Sequence, residues 1–272
     1  MLPSLRIVPV LSLIVHETVD PARVTRLAKR FQGGGKLNNP PLVAPLGRSK
    51  YAVLDGANRV TVARQLKFPH LLVQIVDYYA PQVELRAWNH VIEGIEWSVW
   101  WHQVEKVARS VIKSMSVVRA RTLLKQKKLC AYIVSRKGKC YGIMAPQTER
   151  DRLGLCNALV ETYKGKYTLH RTIEDDIGVV RSLFPQCTAL VVFPVLLKND
   201  ILHFAKNGLK IPSGISRHII PGRALHVDVP FEILRSRQSV ALKNAWLARH
   251  IKTLAQFNRI RYYSESAYLY DE

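Results

Sequence analysis

Long apolar runs are missing from this chain. No stretch approaches the roughly 20 residues that a membrane-spanning helix needs, so a membrane span is not expected and no membrane partner is assigned. Cysteine is scarce as well. The four residues Cys130, Cys140, Cys156 and Cys187 show no Cys-x-x-Cys spacing, which excludes the common zinc and redox motifs and leaves reduced, structural thiols. Residues 1–15 contain Arg6 and an apolar stretch but no basic head and no small-residue cleavage site, and they run straight into His16-Glu17. They read as the first strand of a cytoplasmic protein rather than as a signal peptide. No zinc finger, RNA-binding aromatic motif, helix-turn-helix, internal repeat or low-complexity linker is found.

Acidic residues are the other shortage. Against 41 Lys and Arg there are 20 Asp and Glu, a formal net charge of +21 over 272 residues. Such an excess fits a solvated basic surface, anionic small-molecule substrates or nucleic acid, and charge alone does not separate them. The excess is spread along the chain, with small clusters such as Lys125-Gln126-Lys127-Lys128 and Arg136-Lys137-Gly138-Lys139.

Apolar spacing predicts an α/β protein with mixed sheets. A strand is expected at 8–15. Asp20-Pro21 then supplies an N-cap and a proline at the first helical position. Val24, Leu27, Ala28 and Phe31 follow at i, i+3, i+4, i+7, and Gly33-Gly34-Gly35 ends the helix. Further strands are expected at 41–46, 51–54, 71–76 and 85–91, with a helix opening at Asn58. Beyond these the pattern gives a helix at 97–112 with Val104, Val107, Ala108 and Val111 inward. A hairpin follows at 130–135 and 140–144, then helices at 148–163 and 173–184. A central strand at 188–195, a polar loop at 211–223, a strand at 224–229 and a basic helix at 238–257 complete the chain. The simplest arrangement is two α/β lobes, residues 1–95 and 96–272, with an active-site cleft between them.

Three places offer chemistry. Leu54-Asp55-Gly56-Ala57-Asn58-Arg59 stands where a strand feeds a helix. Backbone N–H groups at a helix start favour an anion, glycine allows close approach, and an arginine grips phosphate oxygens. The same residues also read as a plain strand-to-helix turn with a capping Asp and an exposed Arg. His16-Glu17 ends the first strand, where a carboxylate serves either as a general base or as a surface group beside the helix cap. Ser216-Arg217-His218 with Arg223 forms a dense polar group in apolar sequence, and Arg217 is suited to bidentate binding of a carboxylate or phosphate.

Together these elements resemble the ParB/sulfiredoxin-like superfamily and, within it, the free L-serine kinases, including the staphyloferrin-type siderophore-cluster branch. The resemblance rests on His16-Glu17, on Asp55-Gly56-Ala57-Asn58-Arg59, on Trp88, and on Ser216-Arg217-His218, Arg223 and Asp228-Val229-Pro230. Ala57-Asn58 stands where many superfamily members carry histidines, Ser216 where threonine is more usual, and no cysteine adjoins the phosphate loop, which argues against sulfiredoxin chemistry. The resemblance implies transfer of a phosphoryl group from ATP or ADP, with magnesium, to free L-serine, giving O-phospho-L-serine. Glu17 would be the general base, and Asp55 would orient the hydroxyl or a magnesium ion. Gly56, Ala57, Asn58, Arg59 and Thr61 would hold the nucleotide phosphates. Trp88, Ser216, Arg217, His218 and Arg223 would bind the amino acid. The alternative is a ParB-like DNA-binding regulator or partition-type protein without catalysis. Salt-sensitive DNA binding would follow from the charge in either case, and the terminal basic helix is a candidate homodimer surface.

Overall fold

The computed structural model describes residues 2–263. Among the described residues two large sheets carry the fold, beside two two-stranded ladders. The first has five strands in the order Ser4–Pro9, His70–Ile75, Leu42–Gly47, Lys50–Asp55, Leu13–Val15. The contacts of Leu42–Gly47 with His70–Ile75 and of the edge strand Leu13–Val15 with Lys50–Asp55 are parallel, and the remaining two are antiparallel. The tight turn joining Leu42–Gly47 to Lys50–Asp55 places Arg48 and Ser49 at φ 47° and 57°. That left-handed pair matches the twist of a two-residue hairpin. The second sheet has six antiparallel strands in the order Thr168–Thr172, Asn89–Glu93, Cys187–Val192, Leu129–Ser135, Cys140–Met144, Ile112–Ser114. The mixed α/β class and the central place of the 187–192 strand are as the sequence predicts.

The helix Pro21–Gln32 forms as its spacing demands. Asp20 accepts from Arg23 N at 3.1 Å, Pro21 takes the first turn, Val24 and Phe31 are buried, and Gly33 closes the end. Helix Ala57–Gln65 lies between Lys50–Asp55 and His70–Ile75 in sequence and buries Val60, Val62 and Ala63 on the first sheet.

Several expectations change. The strand expected at 8–15 is two strands, because the chain turns through a short 3-10 segment, Val10–Ser12, after Pro9. Residues 85–91 also divide. Glu84–Ala87 pairs with Ser216–Ile219, whereas Asn89–Glu93 enters the six-stranded sheet, and Trp88 marks the crossing. The helix expected to Ile112 ends as an α-helix at Ala108, and its inner face is Trp100, Val104 and Ala108, with Val107 exposed. The 211–223 loop contains the strand Ser216–Ile219. The strand expected at 224–229 shrinks to Val229–Pro230, because His226 and Asp228 adopt φ of 51° and 56° and break extended pairing.

Three buried clusters fill the molecule. One lies on the first sheet and takes Val229, Phe231, Leu234 and Leu247 from the end of the chain. A second joins Leu42, Ala44 and Leu54 of the first sheet to Trp100, Tyr163, Phe193 and Ile211. The third packs Ala120, Leu124 and Val180 on the other residues of the six-stranded sheet, including Tyr132 and Leu190. The terminal helix Val240–Gln256 lies along Ser4–Pro9, and the Asn244 side chain hydrogen-bonds both the N–H and the C=O of Ile7, at 2.9 and 2.8 Å. It thereby covers an open sheet edge. Buried Lys243 beside it donates to Leu234 O and Ser236 O, each at 2.8 Å, and its Nζ stands 2.9 Å from His70 Nδ1.

Candidate active site

Two neighbouring parallel strands, Leu13–Val15 and Lys50–Asp55, end side by side. One delivers His16-Glu17 and the other Asp55. Just past the first strand, the backbone is stitched to the distant 211 segment. Ile211 N donates to His16 O, and Thr18 N to Ile211 O, both at 2.9 Å. This parallel bridge brings Ser216 onto Glu17, where the Ser216 hydroxyl donates to the carboxylate.

The environment of Glu17 holds its proton tightly. Burial pushes its pKa up to about 7, the Asp55 charge adds to the rise, and the Ser216 hydrogen bond, Arg171 and Lys164 oppose it. His16 is fully buried, with both ring nitrogens lacking a hydrogen-bond partner among the described residues. Burial, helped by His218, pushes its pKa down to about 3, so the ring is neutral at physiological pH. A carboxyl that titrates near neutrality beside a neutral imidazole can take a proton from a hydroxyl and return it to water.

Asp55 is the opposite case. Burial alone would raise its pKa, but the Arg59 and Arg223 charges and the hydrogen bond from Arg223 hold it below the ordinary carboxylate range. Arg59 lies one helical turn on, 3.5 Å from the carboxylate, and also donates to Asn39 O. Arg223, from the loop after Ser216–Ile219, also pairs with Asp55. Gly56 starts helix Ala57–Gln65 at φ 95°, and an added Cβ would stand 2.9 Å from Pro41 Cβ. A side chain there would therefore be strained and obstructed. Ala57 and Asn58 form the first turn, Asn58 accepts from Asp20 N at 3.3 Å, and Thr61 is partly buried one turn further. The helix start with Arg59 and Arg223 gathers backbone N–H groups and guanidinium groups around Asp55, an arrangement able to hold an anion.

Ser216–Ile219 supplies the third wall. His218 Nε2 lies 2.8 Å from Tyr78 Oη, its ring is 6.3 Å from the His16 ring, and burial lowers its pKa to about 4. Trp88 N donates to Ile215 O at 2.9 Å, and the Arg217 guanidinium lies over the Trp88 ring, 4.3 Å from its centre. Arg217 is thus engaged with Trp88, while Ser216, His218 and Arg223 come together with Glu17 and Asp55.

Four residues in this region escape a reading of the sequence. Gln74 binds Gly222 O and Ala224 N at 2.9 and 2.8 Å and so fixes the loop that carries Arg223. A lone polar residue in the apolar run 71–76 was the available signal. Tyr78, Lys164 and Arg171 reach the site through tertiary folding alone. Among the described residues no cluster of three metal-ligating side chains is present, and no helix is long and apolar enough to cross a membrane.

No family model matches the chain. It is 24% identical over 274 residues to ATP-dependent L-serine kinase SbnI of Staphylococcus aureus, covering 98% of this chain and 97% of that protein. It is 24% identical over 243 residues to an ATP-dependent L-serine kinase of Staphylothermus marinus, covering 86% and 94%. The fold is similar to a C-terminally truncated SbnI from Staphylococcus aureus, with a TM-score of 0.71 at 21% identity over 93% of this chain and 97% of that one. It is also similar to a free serine kinase in complex with AMP, with a TM-score of 0.74 at 16% identity over 86% and 95%. The resemblance to free L-serine kinases carried by Glu17, Asp55–Arg59 and Ser216–His218 therefore extends to sequence and fold over most of the chain.

Proposed function

We propose that this protein transfers the γ-phosphoryl group of ATP to the hydroxyl of free L-serine, producing ADP and O-phospho-L-serine. The observation that carries this reading is the pairing of a carboxyl titrating at about 7, Glu17, with an anion cradle at Asp55–Arg59 and Arg223. Names of relatives add the substrate and donor: they are ATP-dependent L-serine kinases.

In this mechanism the amino-acid hydroxyl lies against Glu17. As the serine oxygen bonds to the γ-phosphorus, its proton passes to Glu17 and the bond to the β-phosphate oxygen breaks. Phosphoryl transfer depends on alignment and charge stabilisation more than on covalent help from the protein. The start of helix Ala57–Gln65, Arg59 and Arg223 face the transferring phosphate. Asp55 keeps the two guanidinium groups in place while remaining ionised. Ser216 fixes the Glu17 carboxylate, and His218, held neutral, donates or accepts without adding charge. Trp88 with Arg217 closes the amino-acid side of the cleft. A magnesium ion arriving with the nucleotide would meet Asp55 and take its other ligands from phosphate oxygens and water, as this ion does in kinases.

Phosphorus NMR of the purified protein with ATP, magnesium and L-serine tests the reading. A phosphoserine signal that Glu17→Ala removes is the expected result. Absence of that signal in the wild type, with either ATP or ADP, overturns it.

A further inference from the structure

Two cations whose charges reach Glu17 belong to none of the motif residues. Lys164 follows the helix Glu149–Glu161, and Arg171 lies on the strand Thr168–Thr172. Both lean on the segment that leads to Ser216. Lys164 Nζ donates to Ser213 Oγ, and the Arg171 guanidinium lies so close to Gly214 that a Cβ there would collide with it. Ser213 N in turn donates to Thr18 Oγ1 at 3.0 Å. The cations are therefore anchored to the chain immediately beside both members of the Glu17–Ser216 pair.

With Asp20 they line an open cleft of about 560 Å³, whose apolar lining includes Leu169 and Phe184. The charges of Lys164 and Arg171 are both felt at Glu17. The other arginines of the site are engaged elsewhere, Arg217 on Trp88 and Arg223 on Asp55. A free amino acid presents a carboxylate and an ammonium group within a few bonds of its hydroxyl, and this cleft offers two cations and one carboxylate, its cations anchored to the segment just before Ser216. Arginine and lysine are suited to a carboxylate, the first as a fork and the second as a point charge.

We propose that Lys164 and Arg171 bind the α-carboxylate of the acceptor amino acid, with Asp20 facing its ammonium group, so that the hydroxyl reaches Glu17. This assignment rests on the serine-kinase reading. It explains how a kinase would select a free amino acid over a serine within a peptide, whose carboxylate is lost in an amide bond.

The test is steady-state phosphoserine formation by the wild type, Lys164→Gln, Arg171→Gln and Arg171→Lys, with L-serine and with L-serinamide, and with ATP varied separately. The expected result is a serine KM raised about tenfold or more by either Gln variant, as for loss of a charge-assisted hydrogen bond. The ATP KM should stay unchanged, Arg171→Lys should recover part of the loss, and the preference for serine over serinamide should shrink. Thermal melting of each variant confirms that it is folded. An unchanged serine KM overturns the assignment, as does a loss confined to the ATP KM, which would make the pair a phosphate subsite. A wild type inactive on serine would instead overturn the kinase reading itself, together with this assignment.

Discussion

Glu17 and Asp55 stand at the ends of adjacent parallel strands, yet their surroundings treat the same functional group in opposite ways. Glu17 is met by an uncharged histidine and a serine hydroxyl, and burial prevails. Asp55 is met by two arginines, and their charge outweighs burial. The comparison shows that neighbouring places in the fold do not give two carboxyls the same ionisation; the balance between burial and the charges brought by distant segments sets it. Ser216 and Arg223 come from one stretch of chain; the Ser216 hydrogen bond tempers the rise that burial causes at Glu17, whereas the Arg223 charge helps to hold Asp55 ionised.

The sharpest way to break the comparison is Glu17→Gln, which keeps shape and removes basicity. It should leave melting unchanged and lower kcat by about 100- to 10,000-fold, measured by coupled assay for ADP. Activity equal to wild type would assign Glu17 no proton transfer. Arg223→Ala should have the next effect. It removes a charge-assisted contact and should raise the ATP KM by roughly 10- to 100-fold, while Asp55 becomes easier to protonate. Gly56→Ala tests the geometry rather than the charge. With φ at 95° and Pro41 in the way, it should cost about 1–3 kcal/mol of stability, read by urea denaturation. The smallest effect is on pH. Since the Glu17 pKa is raised to about 7, the active, ionised base forms as pH rises through 7, and kcat/KM should climb there and level off above. Ser216→Ala removes a hydrogen bond that favours the ionised form, so this limb should move to higher pH. A limb that stays in place would detach it from Glu17.

Local signals made part of this legible. Asp20-Pro21 with the spacing Val24, Leu27, Ala28, Phe31 fixes a helix without help from elsewhere, and the strand–turn–helix at 51–65 follows from a short apolar run, Gly56 and the residues after it. The positions of Glu17, Asp55, Arg59, Ser216, His218 and Arg223 could be named, because each stands at a junction of patterns. What was not legible depends on the fold. The alternation through 85–91 looks like one strand, yet its halves pair with two different distant segments, 216–219 and, within the six-stranded sheet, 187–192. Lys164 and Arg171 are ordinary basic residues in a chain with 41 of them, and only the bridge between 16–18 and 211 gives them a neighbour with chemistry.

The seam between the terminal helix and the edge strand has a consequence for biosynthesis. Ile7 is made 237 residues before Asn244, which satisfies its backbone. The same late segment supplies Phe231, Leu234 and Leu247 to the first core. The first sheet therefore waits, with one edge uncovered and its core incomplete, until the segment 231–247 has been made. A nascent chain halted before residue 240 should be a client for chaperones that shield open strand edges, and emergence of the helix Val240–Gln256 should end that dependence.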